Sequence, residues 1–146
     1  MSGLQDMIAE VLPRLQAVGE APSGHQPEAG VWSARQVLGH LIDSGVNNHL
    51  RFVRAAAESG LELPGYDQNA WVQAGGYQQR PWAELVTLWA AYQTHMAHVI
   101  AGLPEAALAH TLSVGGGAPV TLGWLAEDYL QHQRHHLAQI WARAEA

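Results

Sequence analysis

The sequence predicts an all-α fold, a four-helix bundle in a single domain over residues 1–146. Three observations carry that prediction. The chain has 146 residues, 48% hydrophobic and 14% charged, which is one soluble domain's worth of core and surface. Four segments place apolar residues at helical spacing. Glycine- and proline-rich stretches separate them, with no internal repeat and no low-complexity tail.

The first helix is expected from about Leu4 to Val18, because Leu4, Ile8, Val11, Leu15 and Val18 recur on one face. Pro13 lies inside it and is expected to kink or split it. Residues 19–30 read as a loop. Ser33 with Gln36 three residues on is a capping-box pattern, and opens a second helix that stops at Gly60. Residues 61–80 read as a loop. The third helix starts at Pro81, a favoured first-turn residue, and runs to Pro104. Around Gly115, Gly116 and Gly117 the β-branched residues fit a small hairpin or an ordered loop. The last helix starts near Thr121 and runs to the C-terminus.

Composition narrows the chemistry. There is no cysteine, so disulfides, thiolate metal sites and a cysteine nucleophile are excluded. All seven basic residues are arginine, which excludes a Schiff-base lysine. A net charge of −6 argues against a nucleic-acid partner. No apolar stretch approaches the roughly 20 residues that span a bilayer, so no membrane partner is expected. The start, MSGLQDMIAEVLPRL, lacks a basic segment followed by an apolar run, and a cytoplasmic location is the expectation. Low charge and six tryptophans point to a homodimer that covers leftover apolar surface.

Nine histidines are the unusual feature. On the last helix Leu122, Leu125, Tyr129, His132, His136 and Ile140 form the core-facing stripe, with two histidines where leucine is expected. An i, i+4 pair lies on one face one turn apart and can share a metal ion; two structural histidines give the same pattern. On the second helix His40, Ser44, Asn47 and Arg51 form one polar stripe, which a solvated face would also produce. The apolar neighbours of His40 favour a half-buried setting, which makes it the third ligand candidate. His40, His132 and His136 would give a divalent ion three neutral ligands and leave positions open, the arrangement of catalytic sites. Nitrogen donors suit zinc or nickel, and after them iron or copper. Asp43 and Asp128 are placed to accept from the imidazole N–H groups of His40 and His132. Tyr129 is a candidate donor near the ion. Arg51, roughly 16 Å along the helix axis from His40, is a candidate for a substrate carboxylate. Trp71 and Trp82 flank the loop before the third helix and are candidate pocket walls. His95 and His98 make a further i, i+3 pair, and His25, His49, His110 and His135 carry no assigned role.

Three motifs resemble the DinB-like (YfiT-like) superfamily of four-helix metalloenzymes. They are Trp32-Ser33 with Val37-Leu38-Gly39-His40-Leu41 and Asp43-Ser44, then Tyr66-Asp67-Gln68-Asn69-Ala70-Trp71, then His132-x-x-x-His136-x-x-Gln139-Ile140. The resemblance implies an up-down-down-up bundle, a metal site from His40, His132 and His136, and a homodimer. It makes Gln139 a further candidate beside the metal or substrate. On the resemblance alone, the favoured activity is transfer of a low-molecular-weight thiol, of the bacillithiol or mycothiol type, to a small-molecule substrate. The alternatives are a metal-dependent hydrolase, for which Glu127 and Asp128 are the nearby carboxylates, and a non-catalytic, stress-related binding module. An open coordination position separates the enzymes from the module.

Overall fold

The computed structural model describes residues 2–145. Four long helices form the bundle: α1 (Ser2–Ala17), α3 (Ala34–Ala57), α5 (Trp82–Ala101) and α6 (Leu122–Ala144). They follow the up-down-down-up course, with α3 packed on both α5 and α6, and α1 packed on α5. The long connection between α3 and α5 lets both helices run in the same direction. Trp82, Trp89, Phe52, Leu41 and Leu85 are fully buried where the four helices meet.

Pro13 lies inside α1 without splitting it. Proline removes one ladder hydrogen bond there. Leu4, Met7 and Ile8 before it and Leu15 after it stay buried, which holds the helix together. The Ser33 capping box forms in both directions. Gln36 N–H donates to Ser33 Oγ at 3.3 Å and Ser33 N–H donates to Gln36 Oε1 at 2.9 Å. That fixes the start of α3, and so the rotational setting of His40 two turns later. Thr121 caps α6, its hydroxyl accepting from Trp124 N–H at 3.1 Å. Pro81 sits at the N-cap of α5 (φ −59°, ψ 137°), one place earlier than its composition suggests.

The segments expected to be loops hold more structure. Residues 19–30 contain a one-turn helix, α2 (Glu20–Ser23). Residues 61–80 contain β1 (Leu61–Leu63), α4 (Gln68–Gly75) and a 3-10 turn (Tyr77–Gln79). The expected hairpin is present as β2 (Thr111–Val114) paired antiparallel with β3 (Val120–Thr121), and β1 adds in parallel to β2 with Leu61 opposite Leu112. Three residues are too few for a periodicity signal, so β1 is visible only through its partner. In α4, Asp67 caps the helix by accepting from Asn69 and Ala70 N–H at 3.1 Å each. Among the described residues no helix is long and apolar enough to cross a membrane.

Candidate metal centre and its cleft

His40 projects from α3, and His132 and His136 project from adjacent turns of α6. His132 Nε2 lies 3.4 Å from His40 Nε2 and 3.1 Å from His136 Nε2. An ion bonded to nitrogens at about 2.0–2.1 Å with tetrahedral angles holds them about 3.3 Å apart, so this spacing fits a shared divalent ion. No fourth histidine or carboxylate among the described residues joins the group. Three protein donors leave at least one position open.

The donors are in the state a metal needs. Burial, then the neighbouring His136 and His132, pushes His40 down to about 3. Burial, then His136 and His135, pushes His132 down to about 4. Burial also lowers His136, against the opposing hydrogen bond to Gln139. All three rings are therefore neutral at pH 7, with lone pairs free for a cation. His136 Nδ1 lies 2.9 Å from Gln139 Oε1. With Nδ1–H donating, the lone pair of His136 stands on Nε2, facing the other two rings. The Trp32 ring packs against His40 with centroids 5.2 Å apart.

A cleft of about 280 Å³ runs along α3 and α6 from His40 and His132, the two members of the triad that line it. His40, Ser44, Asn48 and Arg51 line its α3 side, Asp128, Tyr129 and His132 its α6 side, and Tyr66 and Gln68 close it. Arg51 donates to Asn48 Oδ1 at 3.3 Å and stands 5.9 Å from the Tyr66 ring centre. Among the described residues no carboxylate pairs with it, so its charge is available to a ligand. Burial raises the Tyr66 hydroxyl's pKa, while the Arg51 charge and the Ser44 hydroxyl pull it back. A larger hollow of about 520 Å³ lies beyond Trp32, lined by Gln26, Gln36, Gln73 and Gln79 among others, but by none of the three histidines.

A family model described as the DinB superfamily matches residues 4–140. The chain belongs to the DinB superfamily. Among its relatives is a protein of Oceanobacillus iheyensis that carries the name "putative metal-dependent hydrolase", 27% identical over 112 residues, which are 77% of this chain and 64% of that protein. A Bacillus mycoides protein with the same name is 23% identical over 142 residues, 97% of this chain and 82% of the other. YfiT from Bacillus subtilis, described as "a probable metal-dependent hydrolase with an unusual four-helix bundle topology", superposes with a TM-score of 0.85 at 20% identity, over 99% of this chain and 83% of YfiT. A histidine-to-alanine mutant of a mycothiol-dependent maleylpyruvate isomerase superposes with a TM-score of 0.73 at 13% identity, over 93% of this chain and 57% of that chain.

Within this DinB-superfamily fold the expected site residues divide. His40, His132 and His136 come together, and Gln139, a candidate from the resemblance, meets His136 Nδ1. Asp43 does not accept from His40. It takes the Tyr77 hydroxyl on Oδ1, while Asp43 Oδ2 and His40 Nδ1 find no partner among the protein's groups. Tyr77 reaches Asp43 across Gly39, where any Cβ would collide with the tyrosine ring. Asp128 stays exposed at the cleft rim, where water solvates it, and makes no hydrogen bond to His132. Tyr129 lines the cleft, but its hydroxyl donates to Gln93 Oε1 on α5 at 2.5 Å.

Asn47 binds the backbone carbonyl of Asp43 at 2.9 Å and faces an outer groove; Asn48 takes its place in the cleft. The lining residues span about 0° to 80° from His40 around the helix, on the side where α6 lies, whereas Asn47 is turned about 20° the other way. Neither tryptophan walls the cleft. Trp82 is buried and donates to the Leu15 carbonyl at 2.7 Å. Trp71 lines the outer groove with Val46, Leu50 and Val53, touching the site only through an edge contact with Tyr66. The residues not anticipated are Asn48, Tyr66, Gln68 and Trp32. Tyr66, Gln68 and Trp32 lie inside the recognisable motifs, so their positions carried a signal although no role was attached to them.

Proposed function

We propose that this protein is a metal-dependent enzyme acting on a small anionic molecule, with His40, His132 and His136 holding the ion and Arg51 holding the substrate's charge. The observation that carries the reading is the cleft: His40 and His132 of the converging triad line one end, and an arginine with which no carboxylate among the described residues pairs stands at the other. A divalent ion held there would lower the pKa of a thiol or a water at its open position and so supply a nucleophile near neutral pH.

The chain's own groups do the rest. Gln139 fixes the His136 tautomer. Asn48 braces the Arg51 guanidinium, which can take a carboxylate through two N–H donors. Tyr66 and Gln68 line the cleft opposite Arg51 and Asn48 and offer hydroxyl and amide hydrogen bonds to the bound molecule.

The favoured reaction is transfer of a low-molecular-weight thiol supplied by a cosubstrate, since the chain has no cysteine of its own. A thiol is acidic enough to ionise without a protein base. Among the described residues no carboxylate is hydrogen-bonded to the triad to act as one. The mycothiol dependence of one structural neighbour supports this preference. Metal-dependent hydrolysis is the second reading, favoured by the names of the relatives and by Asp128, the one carboxylate lining the cleft among the described residues.

Metal-loaded, untagged protein incubated with electrophilic acceptors and a panel of low-molecular-weight thiols separates the two. Thiol-dependent turnover that Asp128→Asn leaves intact supports transfer. Thiol-independent product release abolished by Asp128→Asn supports hydrolysis. Neither turnover in metal-loaded protein, across both substrate panels, would overturn the enzyme reading.

A further inference from the structure

Six histidines lie outside the triad. The spacing pairs His95 with His98, but the fold pairs His95 with His49 instead. His49 on α3 and His95 on α5 have ring centroids 5.0 Å apart and planes inclined at 77°. The three ring pairs of the triad stand at 5.2, 4.6 and 4.5 Å, inclined at 72°, 74° and 73°. The outer pair thus matches the inner site in ring spacing and inclination. An ion bonded to two imidazoles at about 2.0–2.1 Å sits about 3.2 Å from each ring centre, so bond angles of about 90–110° place the centroids about 4.5–5.2 Å apart.

A second feature is also repeated. Tyr92 Oη lies 3.1 Å from His49 Nδ1, as Gln139 Oε1 lies 2.9 Å from His136 Nδ1. With Nδ1–H donating to the tyrosine oxygen, the His49 lone pair stands on Nε2, the form a metal needs. The Tyr92 ring packs edge-on to both histidines, with centroids 6.1 Å from His49 and 6.3 Å from His95. Those contacts limit the swing of both rings. His95 is exposed and His49 half-buried, so an ion reaches the pair from solvent without crossing the core.

We propose that His49 and His95 form a second metal site, separate from the central triad, that takes a borderline divalent transition ion, copper(II) foremost. The donor set gives the class. Two imidazoles with no thiolate favour copper, nickel and zinc over magnesium or calcium, and copper(II) binds nitrogen donors most strongly in that series. No third histidine or carboxylate completes the pair among the described residues. The site therefore binds more weakly than the triad and leaves positions open to solvent or to a second ligand. His98, 60° round the helix from His95, takes no part.

The test is a copper(II) titration of untagged protein, read as ions bound per chain and by paramagnetic broadening of assigned ring signals. His49→Ala and His95→Ala each lose one copper per chain relative to wild type, whereas His98→Ala loses none. In wild type the weaker binding event broadens His49, His95 and Tyr92. His136→Ala, which disables the central site, keeps the broadening at His49 and His95. All of these substitutions fall at exposed or half-buried positions, and circular dichroism checks that each variant folds. Equal stoichiometry in wild type and His95→Ala, or broadening centred on His98 with His49 and His95 unaffected, would overturn the proposal.

Discussion

The two ends of the cleft are built from different kinds of chain. The metal end rests on two regular helices, with His40 fixed by the α3 cap and His132 and His136 one turn apart on α6. The far end is shared between one helix and the connection between α3 and α5, which supplies Tyr66 and Gln68 to face Arg51 and Asn48. The metal end is neutral and half-buried, while the far end carries Arg51, a cation with which no carboxylate among the described residues pairs, and opens to solvent. The difference implies a division of labour. Changes at the first end should act on the ion, and changes at the second on substrate affinity.

The largest effect is expected at the metal end. His136→Ala removes one of three ligands, and both metal content after dialysis and turnover should vanish. Gln139→Ala leaves the ligands but frees the His136 tautomer, and should weaken metal affinity about 10–100-fold in a chelator competition. At the far end Arg51→Ala should leave metal content unchanged and raise KM roughly tenfold or more, with a smaller change in kcat, as for a lost charged hydrogen bond. Release of the metal by Arg51→Ala would break the division. The smallest effect is expected at Asn47→Ala, which faces away from the cleft: KM within twofold of wild type and stability within about 0.5 kcal/mol. A KM increase there matching that of Asn48→Ala would mean the cleft follows the other side of α3.

The same contrast explains what the sequence disclosed. Helical periodicity is regular over many turns, so it placed α1, α3, α5 and α6 and put His132 and His136 on one stripe, but it left His40 on a stripe that a solvated face would also produce, and only its apolar neighbours favoured burial. It was silent on the connection, where β1 has three residues and α4 eight, too short for either period to register. The errors at the site come from the same source. Asp43 was assigned to His40 because nothing local shows that Tyr77, 34 residues on, takes its oxygen. Gly39 was the available hint, a glycine inside a helix beside a candidate ligand, and its role is to let that tyrosine through. Tyr129 was given to the metal because its partner Gln93 lies on another helix, 36 residues away. The choice of Asn47 over Asn48 turned on a rotation that only the position of α6 decides.

The central claim is that three histidines hold one ion and leave it open to a ligand. X-ray absorption at the metal edge, on untagged protein carrying one equivalent of zinc, addresses it most directly. The account predicts three imidazole nitrogens at about 2.0–2.1 Å with one or two solvent oxygens, and loss of that pattern in His40→Ala. A shell of four protein ligands, or a spectrum unchanged by His40→Ala, would contradict it.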